Sequence, residues 1–195
     1  MNHGVTTVSR NSNAATRFFL SVTLAALALL PATASADSAR QIDREADAAL
    51  ARLYREAPAA KSLASVAKGV LVFPSIVKGG LIVGGQYGEG ALRKGGKTVA
   101  YYSTGGVSYG LQAGAQSFGY ALFFMTESSL QYLDRSDGWE IGVGPSVVVV
   151  DEGIARNLTT TTARDDVYAF VFGQKGLMAG IGIQGSKITR IHPGK

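Results

Sequence analysis

The chain has 195 residues, a net charge of +5 and no cysteine. That composition excludes disulfides, thiolate metal sites and a lipid-acceptor cysteine, and two histidines, His3 and His192, are too few for a histidine cluster. A basic excess this small makes no case for a nucleic-acid partner, so its distribution along the chain carries more information than its size.

Residues 1–36 read as a cleaved secretory signal peptide. Arg10 and Arg17 precede the apolar run 18–30, which is shorter than the roughly 18 residues a spanning helix needs, and Ala34-Ser35-Ala36 supplies small residues for cleavage. The implied location is periplasmic or secreted. Losing Arg10 and Arg17 takes the net charge from +5 to +3. The remaining 37–195 is long enough for one domain that buries roughly 70% of its unfolded surface.

Two parts follow, a helical segment 37–67 and a glycine-rich β domain 68–195. Ile42, Ala46, Ala49, Leu50, Leu53 and Ala57 recur at helical spacing, so an amphipathic helix is expected over 38–57, with Ser38 and Gln41 as a capping box. Arg52 and Glu56 lie one turn apart on its outer surface. Pro58 ends that helix or opens a second one over 59–67.

From Lys68 onward, β-branched runs broken by glycine and by Pro74 predict strands at 69–73, 80–87, 91–93, 98–103, 107–113, 120–125, 139–150, 166–172, 177–183 and 187–191. Lys94-Gly95-Gly96-Lys97 reads as a hairpin tip, 184–186 as another turn, and 126–133 as a short helix capped by Thr126. Connections this short favour an α+β fold, mainly antiparallel sheet, sandwich or barrel-like, with N-terminal amphipathic helices and one short internal helix. A small outer-membrane barrel is disfavoured because Ser146 to Val150 does not alternate in polarity.

Two motifs match a pattern without its context. Gly106 to Gly110 fits G-x-S-x-G, and Ser108, Asp134 and His192 have the chain order of a hydrolase triad, but the following residues read as strand where an elbow serine needs a helix. Gly180 to Gly185 fits G-x-G-x-x-G, yet too little chain follows for a nucleotide-binding unit. Glu127, Asp134, Asp137 and Glu140 read as caps and turn residues. Asn157-Leu158-Thr159 is a literal glycosylation sequon and carries no weight. No catalytic residue, metal or cofactor is expected.

The residues with more to say are Ala67-Lys68-Gly69 with Phe73-Pro74, Gly84-Gly85-Gln86-Tyr87-Gly88-Glu89-Gly90, and Gly110-Leu111-Gln112-Ala113-Gly114-Ala115-Gln116. Phe123-Phe124-Met125-Thr126-Glu127 and Lys175 to Gly180 with Gly185-Ser186 complete the series. In this order they resemble the SYLF domain family, also catalogued through yeast cortical-patch proteins as an actin-binding domain. The resemblance implies a lipid-associated module and not an enzyme, with a partner in anionic phospholipid or a membrane surface; the export signal argues against actin.

The basic excess concentrates between Ser62 and Lys97, where Lys68, Lys78, Arg93, Lys94 and Lys97 stand against Glu89 alone. These five are the candidate headgroup ligands, and Phe73, Ile76 and Val77 are candidates for membrane insertion or for core. The competing reading is an envelope protein-interaction module that does not bind lipid.

Overall fold

Pro74 governs the architecture. A proline cannot donate to a sheet ladder and is expected to end a central strand, yet in the computed structural model β1 runs through it from Gly69 to Gly80. The structure describes residues 1, 38–80, 83–109, 114–135, 138–176 and 185–194. The signal-peptide segment apart from Met1, the strand expected at 177–183 and the glycines of the nucleotide-like motif before Gly185 lie outside the described residues.

The strand survives because it bulges. Val72 pairs with Ala91 and Ser75 with Glu89, so Phe73 and Pro74 together face Gly90 on one side. On the other side Phe73 pairs with Tyr120 and Ile76 with Phe118, which leaves Pro74 and Ser75 facing Gly119. The extra backbone takes the space of two side chains. A Cβ on Gly90 would lie 2.3 Å from the Val72 carbonyl oxygen, and one on Gly119 would lie 2.9 Å from that of Pro74.

β1 has β2 (Val83–Lys94) on one flank and β4 (Gly114–Phe124) on the other, and β3 (Lys97–Tyr109) continues outward from β2. After α1 (Ala39–Glu56), α2 (Pro58–Ala64) and these four strands come α3 (Glu127–Arg135), β5 (Trp139–Glu140), β6 (Val147–Val150), α4 (Glu152–Asn157), β7 (Val167–Gly176) and β8 (Lys187–Ile191). They form one sheet in the order β5-β8-β3-β2-β1-β4-β7-β6. Its strands are longer than expected, because Gly88, Gly90, Gly105 and Gly106 lie within β2 and β3 and do not end them.

One expectation needs correction. The single strand over 139–150 is two short pieces on opposite edges of the sheet, separated by positive-φ turns at Gly142 and Gly144. The sheet also contains a parallel pair, β6 with β7, whose crossover is made by residues 151–166 and α4. Every other pairing among the described residues is antiparallel.

The sheet curls into a half-barrel. Tyr120 on β4 donates a hydrogen bond to Thr104 Oγ1 on β3 at 3.0 Å, although a flat sheet would hold strands three places apart at roughly 14 Å. Phe124 on β4 likewise reaches Trp139 on β5, with ring centroids 5.8 Å apart. The concave side buries Phe73, Ile76, Phe118, Tyr120 and Tyr102, and Leu130 and Leu133 of α3 plug it. The convex side buries Val70, Val72, Phe123 and Phe170 under Ile42, Ala46 and Leu53 of α1 and Leu63 of α2.

Half of the expected capping box forms at the helix start, since the Gln41 side chain donates to Glu45 Oε1 at 3.1 Å and does not reach back to Ser38. Ser38 Oγ accepts from the Gln41 amide, the Ala39 amide donates to the Gly194 carbonyl at 3.1 Å, and Arg52 pairs with Glu56 at 2.6 Å. That exposed pair contributes only a few tenths of a kcal/mol.

Gly90→Ala is expected to cost about 2 to 3 kcal/mol, since its Cβ meets rigid backbone, whereas Gly85→Ala, whose Cβ would have only the Gly106 carbonyl at 3.9 Å, should change stability by less than about 1 kcal/mol. Urea unfolding of the two variants measures the contrast. Burial holds the phenols of Tyr102 and Tyr120 well above the ordinary value of 10.0. Their stabilising contribution is therefore complete below pH 10 and falls as pH rises beyond it, because the unfolded chain ionises first. Tyr120→Phe should flatten this alkaline decline, read from chemical unfolding between pH 9 and 12.

Candidate functional site

The β2–β3 hairpin fixes the basic end of the sheet. Lys94 pairs with Lys97 across a two-residue turn in which Gly95 and Gly96 both have positive φ, +56° and +78°, the backbone that a type I′ turn demands. β1 starts beside this turn, with Val70 opposite Arg93 and the Lys68 amide donating to the Phe124 carbonyl at 2.7 Å. Lys68, Lys94 and Lys97 thus meet at one end of three adjacent strands, all exposed. Val66 and Val99, each within two residues of a lysine, are 42% and 49% exposed.

Arg93 has a different task. Its Nη2 donates to the Asp43 carbonyl at 2.9 Å and lies 2.8 Å from Asp47 Oδ1 and 3.6 Å from Asp43 Oδ1, with the guanidinium side chain only 12% exposed. Asp43 also accepts from Thr98 Oγ1 at 2.6 Å and from the Tyr101 hydroxyl at 3.0 Å. Burial, then the hydrogen bond and charge of Asp43, hold the Tyr101 phenol above its ordinary value. The network fastens α1 to the hairpin. Arg93 is a clamp in this fold and does not stand with the exposed lysines.

Lys78 is also separate from them. It lies roughly 30 Å along β1 from Lys68 at about 3.3 Å per residue, and it is 8% exposed on the concave face, between Gln86 and Gln116 in the register. Phe73 and Ile76 are fully buried in the concave core, Phe73 with its ring 4.9 Å from that of Tyr120, so neither is a surface residue. Val77 is 61% exposed on the convex face opposite Tyr87.

The hydrolase-like residues do not gather as a triad would. Gly106 to Tyr109 are strand, Asp134 accepts from the Tyr102 hydroxyl at 2.8 Å, and His192 is exposed beyond β8. Glu127 and Glu140 are exposed as well; Asp137 lies outside the described residues. Among the described residues no helix is long and apolar enough to cross a membrane.

Sequence reasoning missed the Asp43 network. Its trace in the chain is the pair Asp43 and Asp47, one turn apart along the margin of the apolar stripe of α1, where a buried arginine can reach both.

An α+β half-barrel with a clamped N-terminal helix and a lysine-bearing hairpin end is the class of protein these features define. Residues 105–192 match the family described as Ysc84, Las17-binding protein actin regulator, which is the SYLF family that the sequence resembles. The match starts within β3, so the lysines of the hairpin end precede it. No curated protein matches the chain.

Arg93→Ala should destabilise the protein by about 2 kcal/mol, a buried-pair cost reduced because Asp47 is 70% exposed. Hydrogen exchange is expected to quicken first in the α1 amides, and Arg93→Lys, which restores charge without the planar fork, should recover only part of the loss.

Proposed function

We propose that this protein is a non-enzymatic module of the cell envelope that binds anionic phospholipid surfaces reversibly through its hairpin end. The observation that carries the reading is the exposure of Lys68, Lys94 and Lys97 on adjoining strands, while Asp43 and Asp47, the acids of α1 nearest this end, are engaged by Arg93. Each lysine contributes about 1 kcal/mol at most near an anionic surface, so three give weak, salt-sensitive attachment. Val66 and Val99 add apolar contact beside the charges.

The signal-like segment 1–36 supports a periplasmic or secreted setting. The family's printed name speaks of Las17 and actin regulation; an exported chain would not meet actin, and the part we carry over is a non-enzymatic binding role. The helix α1 does not serve as the membrane element in this state. Its apolar face, Ile42, Ala46, Ala49, Leu50 and Leu53, is packed on the sheet.

A second reading, an interaction module that binds envelope protein and not lipid, is favoured by the exposed convex-face residues Val77, Tyr87 and Val107. Vesicle co-sedimentation of the purified protein separates the two. Binding to anionic vesicles should exceed binding to neutral ones, fall at high salt, and drop about tenfold or more in the K68A/K94A/K97A variant. Equal sedimentation of that variant would overturn the hairpin-end site, and absence of binding to either vesicle would favour the interaction reading.

A further inference from the structure

The concave face changes character at its end farthest from α3. Toward α3 the paired positions are apolar, Ile76 opposite Phe118, but two residues further along the register sets Gln116, Lys78 and Gln86 side by side across β4, β1 and β2. Directly paired residues in a sheet share a face, with Cβ atoms about 5 Å apart. Gln86 Nε2 donates to Ser186 Oγ at 2.6 Å, and Ser186 is 1% exposed. A polar belt thus crosses the inside of the half-barrel.

Two members of the belt are incompletely satisfied. Lys78, 8% exposed, forms no salt bridge with any described carboxylate. The sequences of 81–82, 110–113 and 177–184, which follow β1, β3 and β7, contain no acid. Gln116 is 4% exposed, and its Oε1 is buried without a donor. A buried cation and a buried carbonyl oxygen both lose stability when left unpaired. Two residues beyond the belt, on the same face, come Gly114, Gly80 and Gly84, in register with one another, so three successive strands place no side chain there.

We propose that this belt is a binding site for a small monoanionic carboxylate that bears a hydroxyl on the adjacent carbon. The carboxylate would accept from the Lys78 ammonium and the hydroxyl would donate to Gln116 Oε1, which completes both groups at once. One lysine flanked by two neutral amides balances a single negative charge; a dianionic phosphate monoester would be left half compensated in a buried site. The site lies at the opposite end of β1 from the hairpin lysines and does not depend on their role.

Ligand-observed NMR titration of the purified protein with lactate, propionate and propane-1,2-diol tests each half of this chemistry. Lactate should bind, propionate should bind about tenfold more weakly for want of the hydroxyl, and the uncharged diol should show no binding. Lys78→Met is expected to remove lactate binding while leaving the melting temperature equal or higher, since an unpaired buried cation is replaced by an apolar side chain of similar length. Gln116→Leu should erase the preference for lactate over propionate. No lactate binding to the unaltered protein, undiminished binding to Lys78→Met, or glycerol 3-phosphate binding more tightly than lactate would each overturn the proposal.

Discussion

The fold depends on one steric arrangement, the bulge at Phe73–Pro74–Ser75 with a glycine on either side. An extra residue in a central strand bends that strand and increases the local twist. Here the bend is possible only because neither β2 nor β4 presents a side chain against it: Gly90 leaves room for the Val72 carbonyl and Gly119 for that of Pro74. Phe73 and Ile76, on either side of the bulge, both point into the concave core. The curvature then brings Tyr120 to Thr104 and Phe124 to Trp139 across strands that a flat sheet would keep apart.

Curvature gives the sheet two unlike sides. The concave side is plugged at one end by α3, where Leu130 comes so near Gly69 that a Cβ there would meet its Cδ1 at 3.1 Å, and it becomes polar toward the other end. The convex side needs a separate cover, and α1 provides it over the upper half of β1 and β2. Five apolar residues hold α1 by burial, and the Asp43 network sets where along the hairpin it rests. The lower half of that side, around Val77 and Tyr87, has no helix over it among the described residues.

Much of this was legible in the chain. Helical spacing and the Ser38 cap located α1 to within a residue at each end, and the glycine pair between Lys94 and Lys97 located the hairpin. The strand boundaries were harder, because a glycine or proline in sequence looks the same whether it ends a strand or makes space for a neighbour. Gly88 and Gly90 belong to the second kind, and only their partners on β1 reveal it. The parallel crossover to β7 was hidden for a related reason: Val147 to Val150 carries no mark of the strand it will join.

The candidate site was legible in composition and not in arrangement. Five basic residues close in sequence suggested one patch, but alternation along a strand and the length of β1 distribute them among three environments. Lys68, Lys94 and Lys97 remain together because strand ends and a tight turn bring residues distant in sequence to the same edge. Arg93 is drawn onto α1 because its planar fork suits two carboxylates spaced one helical turn apart. Lys78, separated from Val77 by a single peptide bond, faces the opposite side of the sheet and so enters the concave interior while Val77 faces solvent. A charge pattern read along a β chain therefore has to be divided by face and by distance along the strand before it is treated as a surface.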